Sequence, residues 1–102
     1  MKLYNTFSGK KETLGRPKGR PLNLFVCGPT VYDYSHIGHA RTYIVFDTLV
    51  KFLRSQGYKI LYLQNITDVD DKIIKRSRQQ NKNPFSLARF FEREYYSDMK
   101  LL

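Results

Sequence analysis

The chain contains a single cysteine. No intrachain disulfide can form, and the expected setting is a reducing compartment, by default the cytoplasm. Acidic residues are scarce, nine against 18 lysines and arginines, for a net charge of +9. That balance favours a polyanionic partner: a nucleic acid, a nucleotide or an acidic surface. No run of about 18 apolar residues occurs, which excludes a spanning helix, and no membrane partner is expected. Met1-Lys2-Leu3-Tyr4-Asn5 lacks the apolar core of a secretory signal. There is neither an internal repeat nor a low-complexity segment. The 102 residues allow one small domain with a modest core, and 41% apolar content argues against wholesale disorder.

The cations are clustered. Lys10, Lys11, Arg16, Lys18 and Arg20 crowd the entry to the first apolar run, and Lys72, Lys75, Arg76, Arg78 and Lys82 form a second group. Leu3–Phe7 reads as a short strand or arm. Glycine and proline density over 9–21 excludes a helix and predicts a hairpin or loop. Leu22–Cys27 is a nearly continuous apolar run, the pattern of a strand buried on both faces of a parallel sheet. From Ile37 to Gln56 apolar residues recur at three- and four-residue steps, which predicts a helix, and Gly57 stands where a left-handed residue would end it. Ile60–Leu63 is a second buried strand, closed by Gln64 and Asn65. Strand, helix and strand form a βαβ unit. Thr67-Asp68-Val69-Asp70-Asp71 reads as an oxygen-bearing cap with carboxylates in the first turn of a second helix. Asn83-Pro84 starts a third, with Phe85, Leu87, Ala88, Phe91, Tyr95 and Met99 on its apolar side.

The chemistry concentrates between the first strand and the first helix, in Cys27-Gly28-Pro29-Thr30-Val31-Tyr32-Asp33-Tyr34-Ser35-His36-Ile37-Gly38-His39-Ala40-Arg41. Strand, loop, helix is the order that delivers backbone N–H groups to a phosphate. Three residues apart at a helix start, His36 and His39 share one face, and Gly38 between them lets a phosphate approach the backbone. Cys27 closes a strand at the end where ligands collect in open α/β sheets, although a lone cysteine is commonly just a small apolar residue. His36 and His39 could join Cys27 on a metal, but the loop offers no fourth group. Asp68, Asp70 and Asp71 could hold Mg²⁺ or simply complement the dipole of their helix. Arg41 could meet a phosphate or pair with Asp47. Tyr32, Tyr34, Tyr43, Phe90, Phe91, Tyr95 and Tyr96 read as packing residues.

Cys27–Arg41, C-G-P-T-V-Y-D-Y-S-H-I-G-H-A-R, closely resembles the strand-loop-helix of cysteinyl-tRNA synthetases, class I aminoacyl-tRNA synthetases with a His-x-Gly-His signature. Tyr62–Arg76, Y-L-Q-N-I-T-D-V-D-D-K-I-I-K-R, is similar to a second block of the same family. The resemblance implies an α/β fold: the first half of a Rossmann-like parallel sheet, a βαβ unit followed by helices. Residues 1–102 would be the N-terminal part of the catalytic domain and incomplete. It further implies activation of L-cysteine by ATP, with Mg²⁺, and ligation to tRNA-Cys. His36 and His39 would be catalytic, with Gly38 completing the ATP site. Gly28, Thr30, Asn65 and Thr67 would line the amino-acid pocket. Cys27 would be one of four Zn²⁺ ligands, the metal taking the substrate thiolate and so telling cysteine from serine.

Several parts of that pattern are not in this sequence. A Lys-Met-Ser-Lys-Ser-type loop, the other zinc ligands, the second half of the nucleotide-binding fold and the anticodon-binding helices are all missing, so the stretch by itself is expected to be weak or inactive. A monomer is expected. The competing expectations are a cysteine ligase acting on an amino-sugar, another His-x-Gly-His nucleotidyltransferase, and a truncated RNA-binding paralogue without catalysis.

Overall fold

A computed structural model describes all 102 residues. Two strands form first, β1 (Lys2–Asn5) and β2 (Lys10–Thr13), paired antiparallel as the expected hairpin. Gly9 takes a positive φ of 68° in the turn between them. A basic linker then leads to β3 (Leu22–Val26), α1 (Ile37–Ser55), β4 (Ile60–Gln64), α2 (Asp71–Gln79) and α3 (Pro84–Leu101). β3 and β4 are parallel, in register from Leu22 opposite Ile60 to Val26 opposite Gln64, with α1 as the crossover.

Glycine ends α1 as the sequence requires. Gly57 has φ 80°, its N–H donates to Arg54 O, and Tyr58 N–H donates to Leu53 O, the paired bonds of a Schellman motif. α3 starts where Asn83 Oδ1 accepts the N–H groups of Phe85 and Ser86, with Pro84 at the first helical position.

Three expectations need correction. The parallel strands are buried on one face only. Leu24, Val26, Tyr62 and Gln64 face α1 and α3, while Phe25 (60% exposed), Leu61 (57%) and Leu63 (60%) stand open on the other side. A continuous apolar run marks a strand that belongs between two layers, but only one layer is present. The second helix begins later than read, with Asp70 as its cap: Asp70 Oδ1 accepts Lys72 N–H at 2.8 Å. Thr67 cannot cap it because Thr67 is still in the sheet direction. Its N–H donates to Pro29 O, and Val31 N–H donates to its carbonyl. Phe85 does not join the apolar side of α3 and is 70% exposed.

The core has two parts. Val31, Ile73, Leu87, Ala88 and Phe91 pack the loop onto α2 and α3. Val26, Tyr43 and Tyr95 pack β3 onto α1 and α3. Ile66 touches both. Tyr95 also donates its hydroxyl to Gln64 Oε1 at 2.9 Å, tying α3 to β4.

One glycine fixes how closely the two strands leave the sheet. A Cβ on Gly28 would lie 1.7 Å from the Asn65 carbonyl oxygen, which is backbone and cannot swing away. Gly28→Ala is therefore expected to cost about 1–3 kcal/mol, the usual penalty for forced overpacking, read as a lower urea midpoint. An unchanged midpoint would show that the two strand ends can separate freely.

Candidate active site

The site is built at the C-terminal ends of β3 and β4, where parallel sheets present ligand-binding loops. Gly28 N–H donates to Asn65 Oδ1 at 2.8 Å. Thr30 and Thr67 continue the parallel pairing beyond the strands as an isolated bridge. Asn65 Nδ2 lies 3.5 Å from Thr67 Oγ1. Gly28, Thr30, Asn65 and Thr67 are thus one braced patch. All four were expected at the amino-acid pocket, and the structure brings them together. The residue reading gave no reason for Asn65; its side chain stands in for a backbone acceptor at the point where Gly28 comes close.

His36 and His39 come together at the start of α1. Their ring centroids are 3.9 Å apart. His36 is the cap: its Nδ1 accepts Gly38 N–H at 3.1 Å, and the Nδ1 of His39 accepts His36 N–H at 3.2 Å. This is the geometry of a capping box, normally made by a hydroxyl and a carboxylate three residues apart, here made by two imidazoles. The spacing was visible in the sequence; the reciprocal bonding was not, because histidine is not a customary capping residue. Gly38 has a specific reason to be glycine. A Cβ there would meet His36 Nδ1 and Cε1 at 2.9 Å, so the His36 ring occupies the space a side chain would need.

This cap has an electrostatic consequence. With both Nδ1 atoms accepting backbone N–H groups, each neutral ring carries its proton on Nε2, turned away from the cap. The first turn of α1 contains no carboxylate, whereas α2 has Asp70 as cap and Asp71 in its first turn. The positive end of a 19-residue helix therefore has no carboxylate of its own, and two Nε2–H donors stand beside it; Asp98 of α3 lines the same cavity as His36, Ile37 and Ala40.

The other candidates are engaged differently. Asp70 caps α2. Asp68 lies 3.7 Å from Arg89. Asp47 pairs with Lys51 at 2.6 Å, so Arg41 is not its partner. Cys27 is exposed, and its Sγ donates weakly to its neighbour's carbonyl, Gly28 O, at 3.8 Å. No three His, Cys, Asp or Glu side chains converge anywhere in the structure. The residues present do not compose a zinc site, since zinc needs at least three converging protein donors and Cys27 stands without them. Two ties invisible in the sequence hold the loop itself: Asp33 Oδ2 to Arg76 at 3.2 Å, and the edge-on packing of Tyr34 on Phe91 at 5.1 Å.

Burial pushes His39 below the ordinary imidazole value of 6.5, and the neighbouring His36 adds to the push. The sign follows from linkage. Between the lowered folded value and 6.5 the unfolded chain binds more protons, so stability falls as pH drops through that window and is flat with respect to this group above it. An NMR titration of the His39 ring is expected to give a midpoint below 6.5. A midpoint at or above it would mean that the ring does not serve as an acceptor in the cap.

Comparison with known proteins gives the family of the chain. Residues 15–102 match the family described as tRNA synthetases class I (C) catalytic domain. The chain is 49% identical over all 102 residues to a cysteine–tRNA ligase of Thermoplasma volcanium, covering 22% of that protein. It is 49% identical to the cysteine–tRNA ligase of Thermoplasma acidophilum, covering 23%, and 46% identical to that of Heliobacterium modesticaldum, covering 21%. The chain thus spans about a fifth of the length of the curated relatives it matches. With its parallel strand pair, connecting helix and histidine-capped loop, it belongs to the family of class I (C) tRNA synthetase catalytic domains.

Proposed function

We propose that residues 1–102 form the N-terminal part of the catalytic domain of a cysteine–tRNA ligase and carry its ATP site. The observation behind this reading is the reciprocal histidine cap, which presents two Nε2–H donors at a helix N-terminus whose first turn carries no carboxylate. In the proposed reaction the carboxylate of L-cysteine attacks the α-phosphate of ATP, which enters with Mg²⁺. A P–O bond forms to cysteine, the bond to the β-phosphate bridge breaks, and pyrophosphate leaves. A terminal ribose hydroxyl of tRNA-Cys then attacks the cysteinyl carbonyl, the acyl–phosphate bond breaks, and AMP leaves.

Negative charge moves onto the phosphate oxygens during the first step. His36 and His39 would donate to those oxygens through Nε2, and the N-terminal peptide dipoles of α1 would favour the same charge. The donors are fixed before substrate arrives, because each ring is held by a backbone N–H on its far nitrogen. Gly28, Thr30, Asn65 and Thr67 would orient cysteine beside the α-phosphate. Zinc would supply discrimination between thiol and hydroxyl when bound, with Cys27 as this chain's only proposed donor. No helix is long and apolar enough to cross a membrane. A cytoplasmic, monomeric enzyme is the corresponding proposal.

Grafting this chain in place of the matching 102 residues of the Thermoplasma volcanium ligase tests the reading. The chimera is expected to catalyse cysteine-dependent ATP–pyrophosphate exchange. His39→Ala in it should lower kcat about 10²–10³-fold, the cost of losing one preorganised donor. Full exchange by the His39→Ala chimera would contradict the assignment.

A further inference from the structure

The loop from Gly28 to Ser35 delivers His36 to the start of α1, and its two halves are held differently. The first half is fixed by backbone bonds: Gly28 to Asn65, Thr67 to Pro29, and Val31 to Thr67. Val31 is also in the core, 1% exposed. After Val31 the backbone makes no bond to another element before the helix; Tyr32 N–H turns back to Thr30 O, and Tyr34 N–H is taken by Asp33 Oδ1 at 2.9 Å. The one ion pair or hydrogen bond that ties Tyr32–Ser35 to the rest of the fold is Asp33 Oδ2 to Arg76 at 3.2 Å. Around it lie Lys72, whose Nζ is 5.6 Å from the Tyr32 ring centroid, and Tyr34, packed edge-on against Phe90 and Phe91.

Asp33 is also the only carboxylate between Glu12 and Asp47. It lies three residues before the histidine cap, in a stretch otherwise suited to an anion. A bare carboxylate there would repel a triphosphate. Arg76 is placed to cancel it. Its Nε is buried without an acceptor, which fixes the base of the guanidinium against the fold, while the side chain as a whole is 37% exposed and that of Asp33 43%.

We propose that Arg76 is a positioning residue for the ATP site. It clamps the distal half of the loop to α2 through Asp33, and it neutralises the one carboxylate of the loop that leads into the histidine cap; Asp98, which lines the cavity beside His36, lies outside that loop. It acts through Asp33 and does not itself touch ATP. The role rests on the ATP reading given above, but its structural half can be measured without catalysis.

The test has two arms. In the isolated chain, amide hydrogen exchange over Tyr32–His36 is expected to accelerate about two- to fivefold in Arg76→Met, the scale set by losing a half-exposed ion pair that holds the loop. In the chimera, Arg76→Met is expected to raise KM for ATP about tenfold while kcat falls less than about threefold, the signature of weakened binding of the anion. Asp33→Asn added to Arg76→Met should bring KM for ATP most of the way back. Asparagine keeps Oδ1 as acceptor for Tyr34 N–H but removes the charge. Rescue of this kind is not expected of a purely structural lesion.

Unchanged amide exchange in Arg76→Met overturns the clamp. An unchanged KM for ATP, or a raised KM that Asp33→Asn fails to relieve, overturns the neutralising role. If the unsubstituted chimera catalyses no exchange, it is the ATP reading that falls, and amide exchange in the isolated chain still decides the clamp.

Discussion

Two imidazole nitrogens accepting two backbone N–H groups hold the start of α1 in place, and the chemistry follows from that choice of acceptor. A carboxylate would cap the helix with more strength, but it would fill the anion site with its own charge. A hydroxyl would cap it and leave no donor pointing outward. A neutral imidazole does both jobs at once: Nδ1 satisfies the helix and Nε2–H remains for a ligand. The arrangement demands that position 38 carry no side chain, since the His36 ring fills that space. It also demands that the rings stay neutral, which the partial burial of His39 favours.

The cap is useful only if the preceding loop arrives at the right place, and the sheet sees to that. The parallel register of β3 and β4 runs past the strands to Thr30 and Thr67. Gly28 permits the closest approach, and Asn65 supplies the acceptor that a third strand residue would otherwise give. The same extension delays α2 to its cap at Asp70, which leaves Thr67 and Asn65 at the strand ends, where the amino-acid pocket is proposed. The fold is elongated, 51 Å by 30 Å by 26 Å, and 12 of 102 residues are buried. Its radius of gyration is 17.1 Å, against roughly 13 Å for a compact chain of this length. The site is thus held less by a large core than by local bonds at the strand ends.

Much of this was legible in the residues. The periodicity of 37–56, Gly57 as terminator and Asn83-Pro84 as a start are local signals, and local physics decides them. The His-x-Gly-His spacing likewise placed two rings on one face. What escaped reading was set by contacts between distant residues. Nothing in Thr67-Asp68-Val69-Asp70 says that the first of them is still paired with the loop after β3, so the cap was placed three residues early. Arg76 sits in a run of cations that reads as solvated charge, and only the fold brings it to Asp33. The apolar run of β3 carries the pattern of a strand buried on both sides, but a single layer covers the sheet and Phe25, Leu61 and Leu63 stay open.

The central claim concerns which nitrogen of each ring carries the proton. Ring ¹⁵N spectra of the folded chain at mildly alkaline pH resolve this directly for His36 and His39. The account predicts that both rings are protonated on Nε2 with a bare, hydrogen-bonded Nδ1. Protonation on Nδ1 in either ring would break the reciprocal cap and remove the outward donors on which the proposed ATP site depends.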